Sequence, residues 1–168
     1  MDDDERSQLV STKKSSELFS LANKVVVVTG GAGLLGQVFC QALVDVGAHV
    51  AIVDLDLASA ETAAKKVNRS DAQKVVAFES DITSPESVTQ MVANVVKQLG
   101  RIDVLVNNAA SKGSSLDAVF ESFEDYSLKT WREVMSVNID GLFLVAQAVG
   151  KQMKEQGGGS IIQTSSIY

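Results

Sequence analysis

Short, fully apolar runs alternate with amphipathic stretches along the chain from Lys24 onward. Apolar, β-branched runs of this length are typical of strands buried on both faces of a sheet. Apolar residues at helical spacing predict that the intervening stretches are helices. The predicted strands are 25–28, 49–54, 74–79, 102–106 and 160–164, and the predicted helices are 34–46, 58–67, 85–99 and 131–154.

Residues typical of helix ends lie between these stretches. Ser84 precedes Pro85, in the order expected of an N-cap and a first helical residue. Gly47, Gly100 and the glycine run 157–159 follow apolar stretches and are expected to end helices. Because strand and helix alternate, the sequence predicts an α/β fold with a doubly wound parallel sheet of the Rossmann type.

The domain organisation follows from the same pattern. Residues 1–20 are polar, rich in Ser, Lys and acids, and show no sustained apolar period. We expect a mobile tail there, with Leu18, Phe19 and Leu21 docking onto the domain. Residues 21–168 are expected to form one nucleotide-binding Rossmann-type domain.

Composition narrows the function classes. The 168 residues are 45% apolar and 21% charged, with 21 acidic and 15 basic side chains and a net charge of −6. This balance predicts a folded core and argues against nucleic acid or an anionic membrane as partner. A single cysteine, Cys40, and a single histidine, His49, exclude a disulfide framework, a zinc site and a Ser-His-Asp triad, so no metal is expected.

The targeting signals are also informative. No apolar run approaches the roughly 18 residues of a membrane span. The segment 1–5 is acidic, whereas a secretory or mitochondrial signal would be basic. We therefore expect a soluble, cytoplasmic protein.

A glycine-rich loop follows the first strand, in the stretch from Thr29 through Leu34 and Leu35 to Gly36. Gly30 suits a tight turn, Gly33 lets the backbone approach a pyrophosphate, and Gly36 lets the next helix pack close to the strand. The N-terminus of that helix would direct free N–H groups at the phosphates. A plain strand-to-helix turn also favours glycine, but the strand, loop, helix and following acid together favour nucleotide binding.

That acid is Asp54, which ends the second strand 18 residues after Gly36. A carboxylate there can accept both ribose hydroxyls of NAD. A 2′-phosphate about 4 Å away would be repelled by roughly 1 to 4 kcal/mol per unit charge. The sequence therefore predicts NAD rather than NADP; the alternative is that Asp54 only caps the next helix.

Further motifs follow the later strands in a fixed order: Asp81-Ile82, then Asn107-Asn108-Ala109-Ala110, then Asn138, then Ser165-Ser166. With the glycine loop and Asp54, this set resembles the short-chain dehydrogenase/reductase family, in its compact single-domain branch, over about 21–168. The resemblance implies an NAD-dependent oxidoreductase that interconverts a secondary alcohol and a ketone.

The resemblance also implies roles for individual residues. Asp81 would bind the adenine amino group beside the Ile82 backbone, while Asn107, Asn108 and Ala109 would lie at the cofactor cleft. Asn138 would hold a water in the proton relay, and Ser166 would bind the substrate oxygen. Purely structural roles stay open as alternatives: Asp81 could simply cap the next helix, and the asparagine pair could simply end a strand.

Two features depart from the family pattern. Leu34 stands where the single-domain branch has glycine, a spacing closer to the extended branch that includes sugar-nucleotide epimerases. The family's tyrosine, followed four residues later by lysine, is absent: Tyr126 has Thr130 at that distance, and Tyr168 is too close to Ser166.

We therefore expect a fragment whose sheet is incomplete at the C-terminal side, with an uncovered fifth strand and an apolar patch beside the Trp131 helix. Such a chain would be inactive alone. Its partners would be a small molecule with a hydroxyl or carbonyl group and, for the complete protein, further copies in a homo-oligomer. The alternatives are a non-catalytic NAD-binding module and an epimerase fragment.

Overall fold

The structure, a computed structural model, describes residues 19–67, 70–113 and 121–165. Strands and helices alternate along most of this part of the chain. The strands are β1 Val25–Thr29, β2 His49–Asp54, β3 Val75–Glu79, β4 Val104–Asn107 and β5 Ser160–Gln163. The helices are α1 Leu34–Asp45, α2 Leu57–Lys66, α3 Pro85–Leu99, α4 Leu128–Met135 and α5 Leu142–Glu155, with a π-helical segment, Ser136–Gly141, between α4 and α5.

The strands form one parallel sheet in the order β3-β2-β1-β4-β5. Alternate residues of β1 enter different cores: Val25 and Val27 pack with residues of α3 and α5, whereas Val26 and Val28 pack with residues of α1 and α2. Helices therefore cover both faces of the sheet. The predicted α/β fold of the Rossmann type is confirmed.

Local signals in the sequence account for the ends of α3. The Ser84 hydroxyl accepts a hydrogen bond from the Ser87 N–H at 3.2 Å, and Pro85 is the first helical residue. Gly100 follows the helix with a φ of 91°, a left-handed conformation that glycine adopts without steric cost. Both ends lie where the sequence predicts them.

Two elements differ from the prediction by more than one residue at an end. The helix predicted at 131–154 begins at Leu128 and is interrupted by the π-helical segment. The strand predicted from Ile102 begins at Val104. The Gln156 side chain bonds both the N–H and the carbonyl of Ile102, which uses the backbone groups that a sheet ladder would need.

The sequence predicts a mobile tail at residues 1–20, and most of it, residues 1–18, lies outside the described part of the chain. Of the residues expected to dock, Leu21 packs against the core that contains Val26, and its N–H bonds the Val46 carbonyl at 2.8 Å. Phe19 is exposed.

Strand β5 lies at one edge of the sheet, and all four of its residues are exposed. The outer side of the neighbouring long helix is also apolar and exposed, at Trp131, Ile139 and Phe143. In the part of the chain that the structure describes, β5 is therefore an exposed edge strand, and the expectation that the chain is a fragment stays a prediction.

The stretch Leu128–Glu155 is long and apolar enough to cross a membrane by length and composition, contrary to the expectation that no segment would be. A core helix of a soluble protein passes the same test. Val145, Val149 and Met153 of α5 are buried in the core that also contains Val25 and Val27 of β1. Helix α5 thus packs one of its faces on the sheet.

Asp103 joins β1 to β4 at the end of the sheet opposite the glycine loop. Its carboxylate accepts the Val25 N–H at 3.0 Å and pairs with Lys24 at 3.3 Å and Arg101 at 3.0 Å. Burial acts to raise the pKa of Asp103, but the hydrogen bond from Val25 and the two cations outweigh it and lower that pKa below its ordinary value.

Asp103→Ala is expected to lower the free energy of unfolding by about 1–3 kcal/mol near neutral pH, because the buried Val25 N–H loses its acceptor. The folded-state pKa is lowered, so the carboxylate stabilises fully above the unfolded value of about 3.9. That stabilisation is lost as the pH falls through the folded-state pKa. Urea unfolding at stepped pH measures the difference between the two proteins.

The matched control is Asp71→Ala, which removes an exposed carboxylate from the turn before β3. It should change stability little at any pH. If the deficit of Asp103→Ala stays constant from neutral to strongly acidic pH, the ionised Asp103 is not its source.

Candidate functional site: a cleft at the carboxyl ends of the strands

A cleft of about 760 Å³ opens at the carboxyl ends of the parallel strands. In folds of this kind, ligands bind where loops from neighbouring strands diverge. Here the loops after β1, β2, β3 and β4 all contribute. Of the residues proposed from the sequence, those that line the cleft are Gly30, Gly33, Leu34, Leu35, Gly36, Asp54, Asp81, Ile82, Asn108 and Ala109.

The glycine-rich loop has no room for side chains at several points. Gly30 has a φ of 61°, and a Cβ there would lie 2.9 Å from the Ala109 Cα. A Cβ on Gly36 would overlap the Gly30 carbonyl oxygen. Gly36 thus packs against the loop itself rather than against the strand. A Cβ on Gly31 would meet Ile52 at 2.9 Å, a constraint that the sequence analysis missed.

Helix α1 begins directly at this loop. Its N-cap is Gly33, and no side chain caps the first turn. The free N–H groups and the positive end of the helix dipole are therefore available to an anionic group. Leu34 is the first helical residue and is 86% exposed, so the departure from glycine at this position creates no steric conflict in the loop.

Asp54 is bonded to the same loop. One carboxylate oxygen accepts the Ala32 N–H at 3.0 Å, and the other accepts the Leu55 N–H at 2.9 Å. The other charged residues that line the cleft are Asp81, after β3, and Lys112, after β4. No cation among the lining residues belongs to the loop that carries Asp54.

Asp81 and Ile82 form the wall of the cleft that follows β3. Asp81 Oδ1 accepts hydrogen bonds from the Thr83 N–H at 2.9 Å and the Thr83 hydroxyl at 2.7 Å. The Asp81 N–H is bonded to the Ser87 hydroxyl at 3.0 Å. The carboxylate of Asp81 thus organises the turn before α3, whereas the N-cap of that helix is Ser84.

The Thr29 hydroxyl is the centre of a buried hydrogen-bond network between β1 and β4. It donates to Asn107 Oδ1 at 3.1 Å and accepts from the N–H groups of Asn108 at 3.0 Å and Ala109 at 3.1 Å. The Asn108 amide donates to the Thr29 carbonyl at 3.1 Å. Thr29 and Asn107 are fully buried, so they support the cleft without lining it.

Asn107 also reaches the long helix. Its side-chain amide donates to the Leu142 carbonyl at 2.8 Å, at the end of the π-helical segment. Within that segment, Asn138 accepts the Ser111 N–H at 2.7 Å and donates to the Ser111 carbonyl at 3.0 Å. Asn138 therefore holds the loop after β4, and its part in a proton relay stays a prediction.

Ser166 and Tyr168 lie outside the described residues. Ser165, directly before Ser166, is exposed and follows β5 at the same edge of the sheet as the cleft loops. The role of Ser166 stays a prediction.

Residues 24–168 match the sequence profile of the short chain dehydrogenases. The chain belongs to this family. It is 37% identical over 157 residues to a probable galactose dehydrogenase of Rhizobium meliloti, covering 93% of this chain and 59% of that relative. It is 33% identical over 148 residues to an NAD-dependent glycerol dehydrogenase of Listeria innocua, covering 88% of this chain and 54% of that relative.

Solved structures of the family share the fold. A crystal structure of NAD⁺-bound xylitol dehydrogenase superposes with a TM-score of 0.80 at 33% identity, covering 87% of this chain and 54% of that one. The chain thus spans between half and three fifths of the length of these relatives.

Cys40 and His49 have structural positions in this chain. Cys40 is buried beneath the sheet among apolar side chains, and burial raises the pKa of its thiol to about 12. His49 Nδ1 accepts the Lys74 N–H at 3.0 Å, between β2 and the residue before β3. Neither side chain lines the cleft.

Thr29→Val keeps the shape of the side chain but removes the hydroxyl, leaving the buried Asn107 side chain and the partly buried N–H groups of Asn108 and Ala109 without that hydrogen bond. We expect a loss of about 1–3 kcal/mol in the free energy of unfolding. Thr29→Ser retains the hydroxyl and should lose only about 1 kcal/mol for the missing methyl group. Urea unfolding of both variants measures this. Equal stability of the valine and serine variants would contradict the network.

Proposed function

We propose that this chain binds NAD(H) in the cleft and forms the cofactor-binding part of an oxidoreductase that interconverts a secondary alcohol and a ketone. The observation that carries the proposal is the Asp54 carboxylate, bonded to the Ala32 N–H beside the uncapped N-terminus of α1. A carboxylate and a free helix N-terminus at one loop suit the ribose and pyrophosphate of a dinucleotide. The NAD-dependent relative and the NAD⁺-bound neighbour support it.

The described residues fit the cofactor. Gly30, Gly33 and Gly36 line the cleft, where a Cβ on Gly30 or Gly36 would overlap neighbouring backbone atoms, and the N–H groups that follow Gly33 have no side-chain cap. These groups would hold the pyrophosphate, while Asp54 would accept the ribose hydroxyls. When bound, the nicotinamide accepts or supplies the hydride.

The adenine end of the cofactor would lie against the loop after β3. Asp81 uses one oxygen, Oδ1, for both described hydrogen bonds to Thr83. Its other oxygen would accept the adenine amino group, and the Ile82 backbone would lie beside the ring. Asn108 and Ala109 would line the opposite wall.

The proposal favours NAD over NADP. A 2′-phosphate would approach the Asp54 carboxylate, and the lining cation, Lys112, follows β4 on the far side of β1 from β2. Repulsion of roughly 1 to 4 kcal/mol per unit charge corresponds to a factor of about ten to a thousand in affinity.

Proton transfer to or from the substrate is the step for which this sequence has the fewest candidate side chains. Tyr126 is followed four residues later by Thr130 rather than by lysine, and Tyr168 lies only two residues after Ser166. Ser166 would bind the substrate oxygen, and Asn138 would hold the loop that borders it. We propose that these 168 residues alone bind the cofactor without turning over substrate.

The substrate would be a small molecule with a hydroxyl or carbonyl group. Relatives are named as dehydrogenases of galactose, D-threitol and glycerol, which are sugars and polyols. The proposal includes homo-oligomeric assembly of the complete protein, supported by the exposed apolar residues Trp131 and Phe143. A cytoplasmic location is part of the same proposal.

Titration of the chain with NADH and with NADPH, followed by calorimetry, tests the cofactor assignment. NADH should bind about ten to a thousand times more tightly. Asp54→Ala should narrow that ratio because the repelling charge is removed, and it should also weaken NADH binding because Ala32 loses its acceptor.

Asp54→Asn is the matched variant: its one amide oxygen can still accept the Ala32 N–H, while the acceptor for the Leu55 N–H and the charge are lost. This variant should reduce the preference for NADH over NADPH, and it should keep more affinity for NADH than Asp54→Ala does. Equal affinity of the unchanged chain for NADH and NADPH would show that the assignment to NAD is wrong.

Turnover is tested with the same chain, NAD and candidate substrates such as glycerol, threitol and galactose. We expect saturable NADH binding and no NADH production above the background without protein. A dehydrogenase rate that Asp54→Ala diminishes would contradict the proposal that the chain alone is inactive. If the chain binds NADH but turns over no substrate, this chain by itself is best described as a non-catalytic NAD-binding module.

A further inference from the structure

The π-helical segment contacts the two opposite walls of the cleft. Through Asn138 it is bonded to Ser111, in the loop after β4. Through Gly141 it meets Ile82, in the loop after β3: a Cβ on Gly141 would lie 2.8 Å from Ile82 Cγ1, 2.9 Å from its Cδ1 and 3.3 Å from its carbonyl oxygen. Ser111 and Ile82 both line the cleft.

The segment has little freedom to move away from Ile82. The Asn107 amide holds the Leu142 carbonyl at 2.8 Å, directly after Gly141. Asn107 is itself fully buried and bonded to Thr29. Asn138 makes two further hydrogen bonds, three residues before Gly141. A side chain added at Gly141 would therefore press on Ile82 rather than displace the segment.

The backbone on either side of Ile82 is also held. The Asp81 carboxylate bonds the Thr83 N–H and hydroxyl, and the Ser87 hydroxyl bonds the Asp81 N–H. The Ile82 side chain is buried and belongs to the close-packed core formed with α3 and α5. Since the core is filled, the cleft is the open space into which the side chain can shift.

We propose that Gly141 is a positioning residue for the cofactor cleft: because it lacks a side chain, Ile82 is seated clear of the space that the adenine end of the dinucleotide occupies. This inference rests on the proposed function, since it concerns affinity for the same cofactor. Gly141 itself does not line the cleft. It acts through Ile82.

The experiment compares NADH binding by the full chain with that of Gly141→Ala. We expect the dissociation constant for NADH to rise about tenfold, the effect of forcing one extra methyl group into a packed contact. The control is Gly150→Ala, which makes the same change in α5, where the new Cβ would lie an ordinary 3.8 Å from Ile161. Its NADH affinity should not change.

The second arm repeats the substitution after Ile82→Ala, which removes both of the side-chain atoms that the new methyl group would meet. If Gly141 acts through Ile82, Gly141→Ala should leave the NADH affinity of the Ile82→Ala protein unchanged. This non-additivity is the readout that a general loss of stability would not produce.

Each outcome has a distinct meaning. If the chain without substitutions binds no NADH, the proposed function is overturned. If that chain and the Gly141→Ala variant bind NADH equally well, this inference alone is overturned. An equal loss of affinity with and without Ile82→Ala also overturns it. If Gly141→Ala does not fold, recovery of folded, NADH-binding protein in the double variant supports the inference, and its failure to fold contradicts it.

Discussion

The structure of the cleft depends on the hydrogen bonds of one buried hydroxyl. Thr29 ends β1, and its oxygen bonds the Asn107 side chain and the N–H groups of the two residues after β4. The adjacent strands β1 and β4 diverge at this point: β1 is followed by the glycine-rich loop, and β4 is followed by the loop that begins at Asn108. Without a shared partner, the polar backbone groups at this junction would be partly buried and unpaired, at a total cost of about 1–3 kcal/mol.

The electrostatics of the cleft follow from the order of the strands. Asp54 and Asp81 come from β2 and β3, which lie on one side of β1, whereas Lys112 follows β4 on the other side. Negative charge is thus concentrated at one half of the cleft and the uncapped end of α1 lies at its centre. A ligand with a neutral, hydroxyl-rich end and a central anionic group matches this arrangement better than one that carries phosphate at both places.

Much of the fold could be predicted from the sequence because its signals are local. Apolar runs located the five strands that lie in the described residues, and Ser84, Pro85 and Gly100 marked both ends of α3. What the sequence could not supply are contacts between distant segments. The side chain of Gln156 removes Ile102 from β4, and the hydrogen bonds of Asn138 and Asn107 fix a π-helical segment inside a helix whose apolar period looks regular.

The same distinction explains which parts of the candidate site were missed. Periodicity shows where a side chain must be buried, but it does not show where one must be absent. Gly31 against Ile52 and Gly141 against Ile82 are such positions, and each brings together segments more than 20 residues apart. Because protein interiors are close-packed, the lack of a side chain at Gly31 and Gly141 determines how closely these pairs of segments approach each other. The shape of the cleft is therefore determined as much by the glycines that support its walls as by the polar side chains that line it.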